Sequence, residues 1–311
     1  MPEVGLVSLA RHAVTIARTV LPRYRSKFSK HQFTQPQLLA LLCVMRYEDW
    51  TFREAEVRLR EHRELRRALG LRTVPNYTTL YRFLHRVDET ALRTAVGVVA
   101  QHLQRGRCLG ATVALDGTGL TAGAVSPYFI RRTREHGGDE PRTWTHWLKW
   151  LIVIDVDTQA LLTQEARRGP YNDSATLRPM IDAANAVTPI TRVLADAEFD
   201  SELNYQHVRA LGATSVIPAK RGKATWRRHG VRAQMWQRFP RRQYRRRNLI
   251  ESVFSAIKRK LSTRAPGRSL LMQRRQAFLL GLTFNLYRLR CRRCRRSTDF
   301  ILRMSTKPDN L

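Results

Sequence analysis

The chain has 311 residues, 43% of them apolar, enough for one large core and a smaller one, which excludes an unfolded chain. Its 56 Lys and Arg against 25 Asp and Glu leave a formal net charge of +31, a self-repulsion that calls for a polyanion, and the preponderance of Arg favours forked contacts to phosphate. No apolar run reaches the roughly 20 residues of a membrane-spanning helix and no signal peptide opens the chain, so we expect a soluble cytoplasmic, nucleoid-associated protein that meets nucleic acid and no membrane.

From Gln32 to Gln104 the apolar residues recur at helical spacing: Leu38, Leu39, Leu41, Leu42 and Met45, then Val57, Leu59, Leu65 and Leu69, then Leu80, Phe83, Leu84 and Val87. Pro36 opens one helix, Thr51 caps the next and Asn76 caps a third, which predicts a small all-helical domain over residues 1–105. The third helix starts Asn76-Tyr-Thr-Thr-Leu-Tyr-Arg82, which suits the DNA-contacting helix of a helix-turn-helix, although packing alone explains it nearly as well. Cys43 and Cys108 stand singly among apolar or small neighbours and read as reduced core thiols. Cys291 and Cys294 form a CxxC with no second pair, short of the four ligands of a structural zinc site.

After Gly106 the texture becomes alternating and branched. Strands are predicted at 112–117, 148–155 and 160–166, the last two joined by a turn at Asp157-Thr-Gln159, where Asp155 and Asp157 serve the turn. Trp144, His146, Trp147 and Trp150 are read as packing on the sheet. Asn172-Asp173-Ser174 caps a helix to Ala186, a strand spans 190–195, a helix 201–211 and a strand 214–217. This is an α/β layout, a mixed sheet flanked by helices, over residues 106–290. The tail, 291–311, extends an apolar helix into an Arg cluster suited to phosphate.

Between Leu203 and Ser297 lie 26 Lys and Arg side chains and one carboxylate, Glu251. On a helix Tyr244, Arg247, Glu251 and Lys258 fall within roughly 60° of one another, beside an apolar arc of Ile250, Val253, Phe254, Ile257 and Leu261. Alone, Arg247 and Glu251 could be an ordinary surface pair. Asp116 ends an apolar strand run beside Gly117, and Asp196 ends another; each alone could simply cap a turn. Together, two strand Asp residues and one helix Glu make an oxygen-only set suited to Mg²⁺, with Mn²⁺ as substitute. Two such ions about 4 Å apart activate a hydroxyl and stabilise a leaving oxygen, which fits an enzyme that cuts and rejoins DNA. Arg247, Lys258 and the basic stretch from Lys220 through Arg221, Trp226, Arg245 and Arg246 supply cations for phosphates and rings for stacking.

The run Tyr244-x2-Arg247-x3-Glu251-x6-Lys258 resembles the Tyr-Arg-Glu-Lys signature of DDE-type insertion-sequence transposases. Asp116 in Ala-Leu-Asp-Gly-Thr resembles that family's first catalytic Asp, and Asp196 followed by Phe199-Asp200 the second. The resemblance implies an RNase H-like core, two divalent ions on Asp116, Asp196 and Glu251, and cleavage at terminal inverted repeats with joining of the 3′ ends to target DNA. It further implies that Tyr244, Arg247 and Lys258 hold phosphates, and that a homodimer synapses two ends of double-stranded DNA. Only 55 residues separate Asp196 from Glu251, so the large β insertion of some relatives is excluded and the compact branch is indicated. Glu198, Asp200 and Glu202 leave the second acid open to a shifted assignment. Two rivals differ in class: a catalytically silent DNA-binding repressor or architectural protein, and a metal-dependent nuclease that cuts without joining.

Overall fold

A computed structural model describes residues 5–28, 30–106, 110–121, 147–169, 173–220 and 230–305, with side chains through residue 290. Six helices lead the chain: α1 (Leu6–Val20), α2 (Gln35–Glu48), α3 (Phe52–Glu61), α4 (Arg63–Leu69), α5 (Tyr77–Arg86) and α6 (Glu89–Gln104). The start signals at Pro36, Thr51 and Asn76 act as read, and Thr34 and Asp88 add two caps that were not read. Thr34 and Thr51 form capping boxes with Gln37 and Glu54, Asn76 accepts from the Thr78 amide, and Asp88 does the same for Thr90. Helix α1, before the Gln32–Gln104 run, was not read from the sequence, yet it buries Leu9, Ala10, Ala13, Val14, Ile16 and Ala17, and its small residues permit close approach to α2.

Five strands follow: β1 (Ala111–Thr121), β2 (Trp147–Asp155), β3 (Leu161–Arg168), β4 (Ile190–Ala195) and β5 (Thr214–Val216). They form one mixed sheet in the order β3-β2-β1-β4-β5. β1 is antiparallel to β2 and parallel to β4, so its two neighbours run in opposite senses. With helices flanking it, this is the RNase H-like arrangement. β1 runs four residues past the predicted Gly117 end because it pairs with β2 as far as Thr121↔Trp147. Its glycines are not breakers here: a Cβ on Gly119 would lie 3.2 Å from the Trp147 ring, so Gly119 makes room for that indole. The β2–β3 hairpin turns on buried Asp155, which accepts from the Asp157 and Thr158 amides and the Thr158 hydroxyl, as read.

The remaining helices are α7 (Leu177–Val187), α8 (Glu202–Ala210), α9 (Gly230–Gln237), α10 (Arg241–Tyr244), α11 (Asn248–Lys260) and α12 (Leu270–Ser305). A 3₁₀ turn, Ser174–Thr176, precedes α7, and Asp173 makes no side-chain cap bond there. It pairs with Lys149 instead, so the predicted cap is corrected. No helix among the described residues is long and apolar enough to cross a membrane.

Helix α12 packs against α6, α2 and β3, and buried polar side chains fix that contact. Asn285 is fully buried; its Oδ1 accepts from the Leu161 amide and its Nδ2 donates to the carbonyls of Val96 and Leu161. Gln164 on β3 accepts from the Trp150 indole and donates to the Phe278 carbonyl. Asn285→Leu strands these backbone groups in a dry core and is expected to cost about 3 kcal/mol, read as a lowered urea midpoint with unchanged slope. Cys43 on α2 is 1% exposed, and burial pushes its thiol up to about 12. Peptide mass mapping should find it unalkylated at about pH 8 in the folded chain and alkylated once urea unfolds it. Cys108 and the side chains of Cys291 and Cys294 lie outside the described residues.

Candidate active site

Three distant segments deliver the acids. β1 carries Asp116 at its middle, in register with Ile152 of β2. On its other side Leu115 faces Ala195, the last residue of parallel β4, so Asp196 emerges next to Asp116. Asp196 also caps the 3₁₀ turn Ala197–Phe199, accepting from the Glu198 amide at 2.8 Å, while Phe199 anchors that turn in the core. Asp196 thus caps a turn and also lies near Asp116. Glu251 sits in the first turn of α11, which is pressed on the sheet by Ile250, Val253, Phe254 and Ile257, with Phe254 edge-on to Trp150 at 6.1 Å.

The sequence predicts a single helix through Tyr244 and Glu251. The chain instead steps from α10 through the 3₁₀ turn Arg245–Arg247 into α11, and dihedrals stay helical at the joints. Tyr244, Arg247 and Glu251 keep a common side. Arg247 Nη2 donates to Asp116 Oδ2 at 2.6 Å and lies 3.9 Å from Asp196 Oδ2, while Nη1 is 3.1 Å from Glu251 Oε1. One guanidinium, 13% exposed, thus touches all three acids. Sequence reading did not find this role for Arg247, because pair spacing on one helix says nothing of Asp116 or Asp196.

Burial raises the Asp116 carboxyl above its ordinary value; Arg247 and the Gly117 amide oppose this, and Asp196 and Glu251 add to it. Burial likewise raises Tyr244, whose ring is edge-on to Phe239 at 5.0 Å; Arg247 opposes and the three acids add. Lys258, seven residues beyond Glu251, donates to Thr118 on β1 at 2.7 Å, and burial lowers its ammonium. Of the Tyr-Arg-Glu-Lys stripe, Arg247 and Lys258 thus reach β1, at Asp116 and Thr118.

The neighbours of Asp196 face elsewhere. Asp200 has a fully buried side chain, gripped by Arg232 through Nε at 2.8 Å and by the Lys220 amide at 2.8 Å. Glu198 reaches 3.6 Å from Lys149, which also pairs with buried Asp173. Gly117 leaves room for that group, since a Cβ there would lie 3.3 Å from Lys149 Cε. Lys149 was detectable as the one cation in the apolar run Trp147–Asp155; its partner was not.

Of the other predicted contacts, Arg245 is exposed, and Arg246 is half-buried and paired with Asp157. Arg221, Trp226, Trp144 and His146 lie outside the described residues. A cavity of about 740 Å³ lined by Trp50, Phe52 and Tyr81 includes none of the three acids.

The donor set is oxygen-only and suits a hard divalent cation. Yet among the described residues no three acids, histidines or cysteines converge closely enough to share one ion, because Arg247 stands between them. Residues 109–286, more than half of the chain, match the family described as Transposase DDE domain. No curated protein matches the chain.

Proposed function

The chain belongs to the transposase DDE-domain family, and from that membership we propose that it cuts DNA at the terminal inverted repeats of an insertion sequence and joins the 3′ ends to target DNA. One observation carries this reading: Asp116, Asp196 and Glu251, from three distant segments, meet at one guanidinium. Isolated surface pairs do not explain a cluster with three acids to one cation.

In this reading Asp116, Asp196 and Glu251 hold two Mg²⁺ ions, which Mn²⁺ can replace. When bound, the ions supply Lewis-acid stabilisation of the phosphate in flight and lower the cost of deprotonating the attacking hydroxyl. The protein contributes position and charge. Asp116 is fixed by the strand and by its bond from the Gly117 amide at 2.8 Å. Tyr244, Arg247 and Lys258 hold backbone phosphates. Lys258, partly desolvated and bonded only to a neutral hydroxyl among its described partners, has its charge available for an anion. Exposed Arg245 adds to this track, with Arg246, Lys220, Arg221 and Trp226 as further contacts. Residues 106–290 form the catalytic unit, and 1–105 recognise element ends through the exposed Tyr81, Arg82, His85 and Arg86 of α5. Residues 291–311 bind phosphate. The active species is a homodimer acting on double-stranded DNA in the cytoplasm at the nucleoid. The compact interval before Glu251 supports assignment to the branch without a β insertion.

The test is a sequencing-gel assay with purified protein, Mg²⁺ or Mn²⁺, and end-labelled DNA from both flanks of the gene. Metal-dependent nicks at inverted repeats are expected. Tight binding without cleavage in either metal would overturn the enzymatic reading in favour of a silent DNA-binding protein.

A further inference from the structure

Arg247 does more in this arrangement than wait for DNA. Both oxygens of Asp116 are engaged: Oδ2 by Arg247 Nη2 at 2.6 Å, Oδ1 by the Gly117 amide at 2.8 Å. The other end of the same guanidinium takes Glu251 Oε1 at 3.1 Å. A divalent ion binds carboxylates through the lone pairs that these N–H groups now occupy, so ion and guanidinium compete for the same atoms. The guanidinium fork matches a phosphate as well as a carboxylate.

We propose that Arg247 is the built-in counter-cation of the metal-free acid cluster, and that it must leave the acids for a DNA phosphate before the ions can load. The inference rests on the reading that the three acids hold the metal. Without DNA, Arg247 holds the acids together and suppresses ion binding. A backbone phosphate arriving between Arg245 and Tyr244 draws the guanidinium outward and uncovers the carboxylates. Metal and DNA then bind with positive coupling, each raising affinity for the other by the same factor. Chemistry is thereby confined to the DNA-bound protein, with no separate lid.

The experiment is a Mn²⁺ titration of the full chain, followed by the electron paramagnetic resonance of free Mn²⁺, with and without a short mixed-sequence duplex. Ions held by the duplex alone are measured in parallel and subtracted. Wild type should bind Mn²⁺ about tenfold more tightly when the duplex is present. Arg247→Gln should bind about tenfold more tightly than wild type without DNA and should lose the coupling. Arg247→Lys, which keeps the charge but not the fork, should fall between the two. If Arg247→Gln does not fold by circular dichroism, the wild-type coupling decides, and its absence overturns the proposal. Equal or weaker Mn²⁺ binding by a folded Arg247→Gln also overturns it. Asp116→Asn separates the two levels: if it abolishes Mn²⁺ binding, the acid cluster holds the metal whatever Arg247 does, and if it leaves binding unchanged, the metal reading itself fails.

Discussion

Asp116→Asn and Glu251→Gln are each expected to lower the single-turnover rate of DNA cleavage by about three orders of magnitude or more, equivalent to about 4 kcal/mol of transition-state stabilisation. Both changes preserve shape and remove charge. In Asp116→Asn the one side-chain oxygen can accept from the Gly117 amide or from Arg247 but not from both, so the half-buried guanidinium loses one charged partner. Two opposed effects then act on stability. The Asp116 carboxyl is raised mainly by burial, so the folded protein favours its protonated form. Its favourable contribution is fully present below the unfolded value near 3.8 and is lost as pH rises through the higher folded value. At neutral pH wild type therefore carries a charge-burial penalty that Asp116→Asn relieves while it gives up the Arg247 pair, and the variant should melt within about 4 °C of wild type. Activity lost without stability lost marks a chemical acid; a parallel fall in both would mark a structural one.

Asp200, four residues from Asp196, should show the opposite pattern. Its fully buried carboxylate accepts from Arg232 Nε at 2.8 Å and the Lys220 amide at 2.8 Å, with the Tyr205 hydroxyl 3.1 Å away. Removing Arg232 leaves that charge buried and unpaired, and Asp200→Ala strips Arg232 and the Lys220 amide of their acceptor, while the Tyr205 hydroxyl keeps the Ile217 carbonyl at 2.9 Å. Either change should cost about 3 kcal/mol or more by urea denaturation. The double variant should cost less than the two single changes together, because they break the same contact. The exposed pair Arg58–Glu61, at 3.7 Å, provides the contrast: its removal should change stability by less than about 0.5 kcal/mol.

These two acids show where local pattern in the sequence stops being informative. Asp196 and Asp200 lie in one short run, and both are compatible with catalysis by spacing. Burial and the Arg232 grip separate them, and Arg232 lies too far along the chain for local pattern to reveal. Glu251 was legible because it is alone among cations, and the strand at Asp116 because an acid in an apolar run is costly without compensation. Caps at Thr51 and Asn76 were legible because their chemistry is local. The length of β1 was not, since Gly117 and Gly119 look like breakers until the Trp147 indole and the Lys149 side chain are seen beside them. Helix α1 was missed although its apolar residues fall on one face, because it lies before the Gln32–Gln104 run in which helical spacing was read. The meeting of three acids at Arg247 needed the parallel β1–β4 register, a tertiary property.

The most direct test of the account supplies the protein with a pre-cut, 3′-hydroxyl end taken from its own mapped terminus, supercoiled target DNA, and Mg²⁺ or Mn²⁺. Wild type should join that 3′ end covalently to the target, whereas Asp116→Asn, Glu251→Gln and wild type without a divalent ion should not. Efficient metal-dependent cutting with no joined product at any metal or target concentration would contradict the account and leave a nuclease in place of a transposase.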